Sequence, residues 1–128
     1  MAQREDLIED WMTLMPHTLS PGDSVEHATS LLRDKGVRHL PVVKDGRVVG
    51  IISERDLFVA SRFANTHGLK VEVLMEPDPY TVPRTALLRD VARKMEAQRY
   101  GAAVVLEEER LVGVFTAVDA LRALADGT

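Results

Sequence analysis

Apolar residues recur along the first half of the chain with two different periods, one typical of helices and one typical of strands. A spacing of three to four residues predicts a helix that begins after Asp23 as its N-cap and ends at Gly36. Its buried stripe is expected to comprise Val25, Ala28, Leu31 and Leu32. Two β-type runs follow, VRHLPVV and RVVGIIS, and the Asp45–Gly46 pair between them predicts a tight hairpin turn. A further helix from Arg55 completes a segment of α-β-β-α order, which a short extended piece precedes.

The same pattern returns 63 positions later without a gap, so that Gly50, for example, aligns with Gly113. We therefore predict an α+β fold of tandem β-α-β-β-α repeats related by a pseudo-two-fold axis, with small mixed sheets flanked by helices. An N-terminal helix and the first repeat would span 1–65, and the second repeat 66–128. Because a half of this size would bury only about 60% of its unfolded surface, the two halves are expected to share a core.

A short motif ends the second long strand of each repeat: GIISERDL in the first copy and GVFTAVDAL in the second. Both copies read glycine, two apolar residues, a hydroxyl residue, two variable positions and aspartate. A strand that opens into a helix exposes N–H groups and a carboxylate at one edge, which suits the ribose and phosphate of a nucleotide. The alternative is a capping box at each helix start, formed by Ser53 with Asp56 and by Thr116 with Asp119. Duplication at matched positions favours a ligand site over capping alone.

The sequence around each motif resembles a known family. WMTLMPHTLSPGDSVEHATSLL followed by VRHLPVVKDGRVVGIISERDL looks like a cystathionine-β-synthase (CBS) domain. VLMEPDPYTVPRTALLRDVARKM followed by YGAAVVLEEERLVGVFTAVDAL looks like a second one. The resemblance extends from Asp6 to Leu124. The chain thus resembles a stand-alone CBS pair, or Bateman module, similar in layout to bacterial acetoin-utilisation-type CBS proteins.

The resemblance implies a regulatory module that senses AMP, ADP or ATP in clefts between the two repeats. Asp56 and Asp119 would accept hydrogen bonds from ribose hydroxyls, and the basic pair Arg38 and His39 would lie near phosphate. Ser53 and Thr116 would sit beside the sugar or phosphate, and Thr18 and Thr81 near the base. The full set of implied ligand-binding residues is Thr18, Arg38, His39, Pro41, Ser53, Arg55, Asp56, Thr81, Tyr100, Gly101, Ala102, Thr116 and Asp119.

The second copy departs from the first at the basic positions. Gly101 and Ala102 stand where the first copy has Arg38 and His39. Val104 likewise replaces Pro41, and Val118 replaces Arg55. These differences predict two unequal clefts, of which the one served by Arg38 and His39 recognises phosphate.

Composition narrows the remaining classes of function. The formal net charge of −4 argues against general nucleic-acid binding. The absence of cysteine and of any long apolar run predicts a cytoplasmic protein without disulfides or a membrane span. The four histidines lie on separate elements, and no nucleophile or carboxylate pair is discernible, so we expect no catalytic site, no metal site and no required cofactor. An adenine nucleotide would be the regulatory ligand, with an unidentified regulated protein as a further partner.

Two alternatives to nucleotide sensing stay open. The chain could be a structural module for dimerisation or docking with vestigial clefts, or it could sense S-adenosylmethionine or a cyclic dinucleotide. Because the helices around Leu32 and Met95 are short and such small lobes leave apolar surface uncovered, we also expect a homodimer in which two pairs meet through their helical faces.

Overall fold

The computed structural model describes residues 6–14, 16–63 and 65–126, which divide into two compact units. The continuous unit spans His17–Pro79, and the split unit combines Met1–Pro16 with Tyr80–Thr128. Each unit consists of a small sheet with flanking helices, which confirms the α+β class. The segment before the first repeat therefore packs with the second repeat, although it lies at the opposite end of the sequence.

The described elements follow one another in a repeated order. They are a 3₁₀ turn Ile8–Asp10, β1 Thr13–Leu14, α1 Val25–Lys35, β2 His39–Lys44, β3 Arg47–Ser53, α2 Glu54–Phe63, α3 Val71–Leu74, β4 Glu76–Pro77, β5 Thr81–Pro83, α4 Leu88–Gln98, β6 Ala102–Glu107, β7 Arg110–Thr116 and α5 Ala117–Asp126. Each of the helices α4 and α5 and the strands β6 and β7 begins and ends 63 positions after its counterpart in the first repeat. The repeat seen in the sequence is thus a repeat of structure.

Each unit builds its own sheet around a hairpin. In the continuous unit the strand order is β2-β3-β4, with antiparallel pairing throughout. The split unit has the order β1-β7-β6-β5, in which β5 and β6 are parallel. The predicted turn between β2 and β3 is confirmed, with Asp45 and Gly46 both at positive φ.

The start of α1 differs from the prediction. Ser24, rather than Asp23, is the N-cap, and its Oγ accepts a hydrogen bond of 3.0 Å from the His27 N–H. The Asp23 carboxylate instead accepts from the Ser20 N–H at 2.8 Å and closes the preceding turn. Asp and Ser are similarly good N-caps, so the local turn decides which of two adjacent candidates takes the position. Gly36 ends the helix in the left-handed conformation, as expected.

The two short strands β1 and β4 are exchanged between the sequence repeats. β1, which precedes the first repeat, pairs with β7 of the second, and β4, which precedes the second repeat, pairs with β3 of the first. The ion pair of Arg84 with Glu9, at 2.6 Å, joins the N-terminal segment to the second repeat, and Arg84 also pairs with Glu107 of its own repeat at 2.9 Å. Each half of the sequence therefore supplies a short strand to the sheet that is formed mainly by the other half.

Buried apolar side chains form two clusters, one inside each unit. In the continuous unit the cluster includes Leu40, Ile52 and Val71, and in the split unit it includes Ile8 and Phe115. Val71 comes from the second half of the sequence and Ile8 from the first. The described residues thus form two buried clusters rather than the one shared core expected from the sequence, although each cluster takes residues from both halves. None of the described helices is long and apolar enough to cross a membrane.

Candidate functional site

One end of the β2–β3 hairpin gathers most candidate residues of the continuous unit. His39, the first residue of β2, lies opposite Ser53, the last residue of β3. The N–H of Glu54, at the start of α2, donates to the Arg38 carbonyl oxygen at 2.9 Å. The first turn of α2 therefore begins beside the basic pair, so that the main-chain N–H groups of a helix start and two basic residues share one edge.

Ser53 and Asp56 form the capping box that the sequence offered as an alternative. The Ser53 N–H donates to Oδ2 of Asp56, and the Asp56 N–H donates to Oγ of Ser53, both at 3.0 Å. Oδ1 of Asp56 accepts no hydrogen bond from any described residue, and the side chain is only partly buried. Capping thus uses one carboxylate oxygen, and the other is available to a ligand.

The surroundings of His39 favour its neutral form. Burial lowers its pKa from the ordinary value of about 6.5. The charges of Asp56 and Glu54 oppose this effect, and the charge of Arg38 adds to it. Nδ1 is buried and has no hydrogen-bond partner among the described residues, so a proton on this nitrogen would be left unsatisfied.

The remaining candidates of the continuous unit lie along the same hairpin. Thr18 is exposed, and the N–H of the next residue, Leu19, donates to the Pro41 carbonyl oxygen at 2.9 Å. Pro41 itself is fully buried within β2, so it contributes to the wall and to packing. Arg55 is exposed in the first turn of α2.

The split unit repeats this arrangement with different side chains. Ala102 lies opposite Thr116, and the Ala117 N–H donates to the Gly101 carbonyl oxygen at 3.1 Å. Thr81 lies opposite Val104 in the parallel β5–β6 pair. The edge formed by Gly101 and Ala102 therefore carries no basic side chain at the positions where the continuous unit has Arg38 and His39.

The Asp119 carboxylate accepts more hydrogen bonds than the Asp56 carboxylate. Its Oδ2 accepts from the Thr116 N–H at 2.9 Å and from the Thr116 hydroxyl at 3.2 Å, and its own N–H donates to that hydroxyl at 3.3 Å. Its Oδ1 accepts from Nη2 of Arg122 at 3.3 Å. Asp119 is only 8% exposed. The two aspartates of the motif are therefore equivalent in sequence but not in environment.

The sequence interpretation did not include Arg122 or its contact with Trp11. Nη2 of Arg122 donates to the Trp11 carbonyl oxygen at 2.7 Å, and the guanidinium carbon lies 5.4 Å from the centre of the Trp11 ring. The spacing of three residues between Asp119 and Arg122 on a predicted helix was an available signal for their ion pair. The repeat gave no such signal, because Val59 occupies the matching position of the first copy.

A pair of stacked tyrosines adjoins the split-unit edge. The rings of Tyr80 and Tyr100 are 5.2 Å apart at an interplanar angle of 29°. Burial raises the pKa of Tyr80, with smaller contributions from Tyr100 and Asp90. Tyr100 was a candidate from the sequence, whereas Tyr80 was missed because its partner lies on another element. In the first copy His17 and Val37 stand at the matching positions.

Comparison with known proteins shows which sequences and folds this chain resembles. A family model for the CBS domain matches residues 8–62 and 70–126. CBSX2 of Arabidopsis thaliana, solved in complex with AMP, is 30% identical with a TM-score of 0.81, over 94% of this chain and 96% of that one. The CBS domain pair of protein MJ0100, in complex with 5′-methylthioadenosine and S-adenosyl-L-methionine, is 26% identical with a TM-score of 0.89, over 96% and 98% of the two chains.

A third solved structure matches the predicted subfamily. A putative acetoin utilization protein (AcuB) from Vibrio cholerae is 28% identical with a TM-score of 0.84, over 94% of this chain and 91% of that one. The first curated relatives are longer proteins, and the chain spans 21%, 48% and 45% of their lengths. The similarity therefore concerns the paired units and extends to only part of those relatives.

Proposed function

Because the chain belongs to the CBS-domain family, we propose that it is a regulatory module that binds an adenosine-containing nucleotide. AMP, ADP and ATP are the ligands proposed. The observation that carries the proposal is Asp56, whose Oδ1 is open beside Arg38 and His39. A helix cap alone would need only one oxygen at that position, and asparagine or serine would serve.

Each part of such a ligand has a suitable group at this edge. The ribose hydroxyls would donate to the free oxygen of Asp56. Hydrogen bonds to a charged acceptor such as this carboxylate are stronger than those between neutral groups. Arg38 would bind phosphate, because its planar guanidinium can donate two hydrogen bonds to phosphate oxygens. His39, kept neutral by burial, would act as a hydrogen-bond donor rather than as a cation. The AMP complex of the similar protein CBSX2 supports AMP as the class of ligand.

A second ligand class is proposed for the split unit. Its edge lacks the basic pair and carries the stacked rings of Tyr80 and Tyr100. Aromatic faces attract cations such as a sulfonium group, and they also stack on an adenine base. S-adenosylmethionine or an uncharged adenosine derivative therefore suits this edge better than ATP. The complex of the similar MJ0100 pair with 5′-methylthioadenosine and S-adenosyl-L-methionine supports this class of ligand, without bearing on which unit binds it.

The module is proposed to act by binding, without catalysis, and as a homodimer. The described residues contain no group of three or more His, Asp or Glu that could hold a metal ion.

The dimer would form through apolar side chains left exposed on α2 and α5. These are Phe58, Val59 and Phe63 on α2, and Val118, Leu121 and Leu124 on α5. Leu32 and Met95 themselves are buried in their own units and would not contribute to this contact.

Calorimetry with AMP and adenosine tests the ligand proposal. Asp56→Asn should weaken both ligands by roughly 10- to 100-fold, because both contain ribose and because asparagine can still cap α2. Arg38→Ala should weaken AMP by about tenfold and adenosine hardly at all, and the loss should shrink as salt rises.

Two variants serve as matched controls for these measurements. Asp45→Asn changes an aspartate in the turn at the far end of the same hairpin, and Arg33→Ala removes an exposed arginine from α1. Both should leave the affinities unchanged. Unchanged affinity in Asp56→Asn would reduce the carboxylate to a helix cap, whereas a wild-type protein that binds neither AMP nor adenosine would favour a scaffold function.

A further inference from the structure

The two motif aspartates differ in how many hydrogen bonds they can still accept. A carboxylate offers about four acceptor positions. Asp56 uses one of them, for the Ser53 N–H. Asp119 uses three, for the Thr116 N–H, the Thr116 hydroxyl and Nη2 of Arg122. The two vicinal hydroxyls of a ribose need two positions, so Asp56 can accept both while Asp119 can accept both only if one existing bond is given up.

Arg122 is the bond that Asp119 can release most readily. The Thr116 N–H and the Thr116 hydroxyl both donate to Oδ2 of Asp119 at the start of α5, and loss of the first of these bonds would leave a main-chain N–H without its partner. The Arg122 bond is long at 3.3 Å, and the arginine side chain is about half exposed. The freed guanidinium would keep access to water, whereas the Asp119 side chain is only 11% exposed, so a ribose hydroxyl has to replace the Arg122 bond as it breaks.

Arg122 also holds the N-terminal segment. Besides Asp119 it bonds the Trp11 carbonyl oxygen at 2.7 Å and lies over the indole ring. Trp11 in turn donates from Nε1 to the Asp6 carboxylate at 3.3 Å. One guanidinium thus connects the motif carboxylate of the second repeat with the segment that precedes the first repeat.

We propose that Arg122 controls access of a ribose diol to Asp119 and reports its arrival to the N-terminal segment at Trp11. This rests on the proposed function and deepens it, since it assigns the two units different affinities for the same sugar. The continuous unit binds the diol through Asp56 without displacing any described partner. The split unit binds it more weakly, because the diol must displace Arg122, and the displaced guanidinium changes its contact with Trp11.

Adenosine titrations followed by tryptophan emission test the proposal, because Trp11 is the single tryptophan of the chain. In the wild-type protein calorimetry should show a tighter and a weaker phase, and only the weaker phase should change the emission of Trp11. Arg122→Val, which installs the residue found at position 59, should tighten the weaker phase by about three- to tenfold. Asp56→Asn should weaken the tighter phase and leave the emission change in place, whereas Asp119→Asn should remove the emission change.

Arg122→Gln serves as a second variant that keeps a side chain of similar length against Trp11 without the charge. It should tighten the weaker phase in the same direction if Arg122→Val does not fold. Saturation by adenosine without any change in Trp11 emission, or an unaltered weaker phase in both Arg122 variants, would overturn this inference and leave the proposed function standing. If calorimetry detects neither adenosine nor AMP binding in wild type and variants, the inference and the proposed function fail together.

Discussion

Single residues show the clearest differences between the two repeats, because the matched backbone positions have nearly the same geometry. The residue after α1 is Gly36, with φ of 65°, and the residue after α4 is Arg99, with φ of 61°. This left-handed conformation costs a residue with a Cβ about 1–2 kcal/mol, and glycine avoids that cost. A Cβ at Gly36 would meet no atom within 4 Å. Glycine and arginine at this position therefore differ in the cost of the backbone conformation and not in the space available.

We expect Arg99→Gly to raise the free energy of unfolding by about 1 kcal/mol, because glycine is the favoured residue at this helix end. Gly36→Arg is the reciprocal variant and should lower it by a similar amount. Urea unfolding at one fixed protein concentration measures both changes. A loss of stability in Arg99→Gly would mean that the arginine side chain makes a contribution larger than the backbone strain.

A second residue-scale prediction concerns the pH dependence that His39 gives to stability. Its folded pKa is lowered, mainly by burial, so between that pKa and about pH 6.5 the unfolded state binds more protons than the folded state. The contribution of neutral His39 is thus complete above about pH 6.5 and is lost as the pH falls below it. One such group changes the unfolding free energy by at most about 1.4 kcal/mol per pH unit.

His39→Gln should therefore make the decline in stability between pH 6.5 and 5 less steep than in the wild type. His27→Gln, which replaces an exposed histidine on α1, is the control and should leave the slope as it is. Chemical unfolding at a series of pH values gives the comparison. Parallel curves for wild type and His39→Gln would show that the buried ring does not titrate differently on unfolding.

At the scale of elements, the two exchanged strands depend on glycines in the motif strands. A Cβ on Gly113 would lie 2.5 Å from Sδ of Met12 and 2.9 Å from the Thr13 carbonyl oxygen. A Cβ on Gly50 would meet Met75 and Glu76 in the same way. The glycine that opens each motif therefore permits β1 and β4 to approach β7 and β3 closely, and this packing is separate from any role in ligand binding.

Gly113→Ala should lower the free energy of unfolding by about 1–3 kcal/mol, since a side-chain and a backbone atom would both have to move. Gly22→Ala is the matched control, because a Cβ there meets nothing within 4 Å and its φ is not positive. It should be neutral or slightly stabilising. Equal effects of the two substitutions, measured by thermal unfolding, would contradict the close packing of β1 on β7.

At the scale of the whole molecule, the proposed homodimer would form through the exposed apolar side chains of α2 and α5. Phe63 is 84% exposed and Leu121 is 65% exposed, each on a helix that has other exposed apolar side chains. Apolar patches of this kind are typical of protein–protein contacts. A second copy of the chain is the occupant proposed, because it would cover matching helices on both partners.

Light scattering should give twice the 14.2 kDa mass of one chain at micromolar concentration. Leu121→Asp should shift the mass toward one chain, because burial of an unpaired charge in an interface is costly. Val73→Asp is the control: Val73 is 62% exposed on α3 and lies outside both helices. A wild-type mass of one chain, or a dimer unaffected by Leu121→Asp, would rule out this interface.

The sequence by itself determined the elements and their repetition, because these depend on local patterns. The periodicity gave α1, the Asp45–Gly46 hairpin and the α+β class, and the gapless repeat gave the second copy of each element. It also placed Ser53 beside Asp56 and Thr116 beside Asp119, since residues three apart at a helix start are neighbours whatever the rest of the chain does. The assignment of these residues to ligand binding stays a prediction.

Only the tertiary structure decided which segment completes which unit and how the two aspartates differ. The pairing of β1 with β7 joins residues about 100 positions apart, and no local period encodes such a contact. The same exchange brings Trp11 to Arg122 and so changes the surroundings of Asp119, while Asp56 has no counterpart to this contact among the described residues. Hydrogen bonding and burial are set by neighbours in space. The aspartates of two equivalent motifs can therefore accept different numbers of further hydrogen bonds from a ligand.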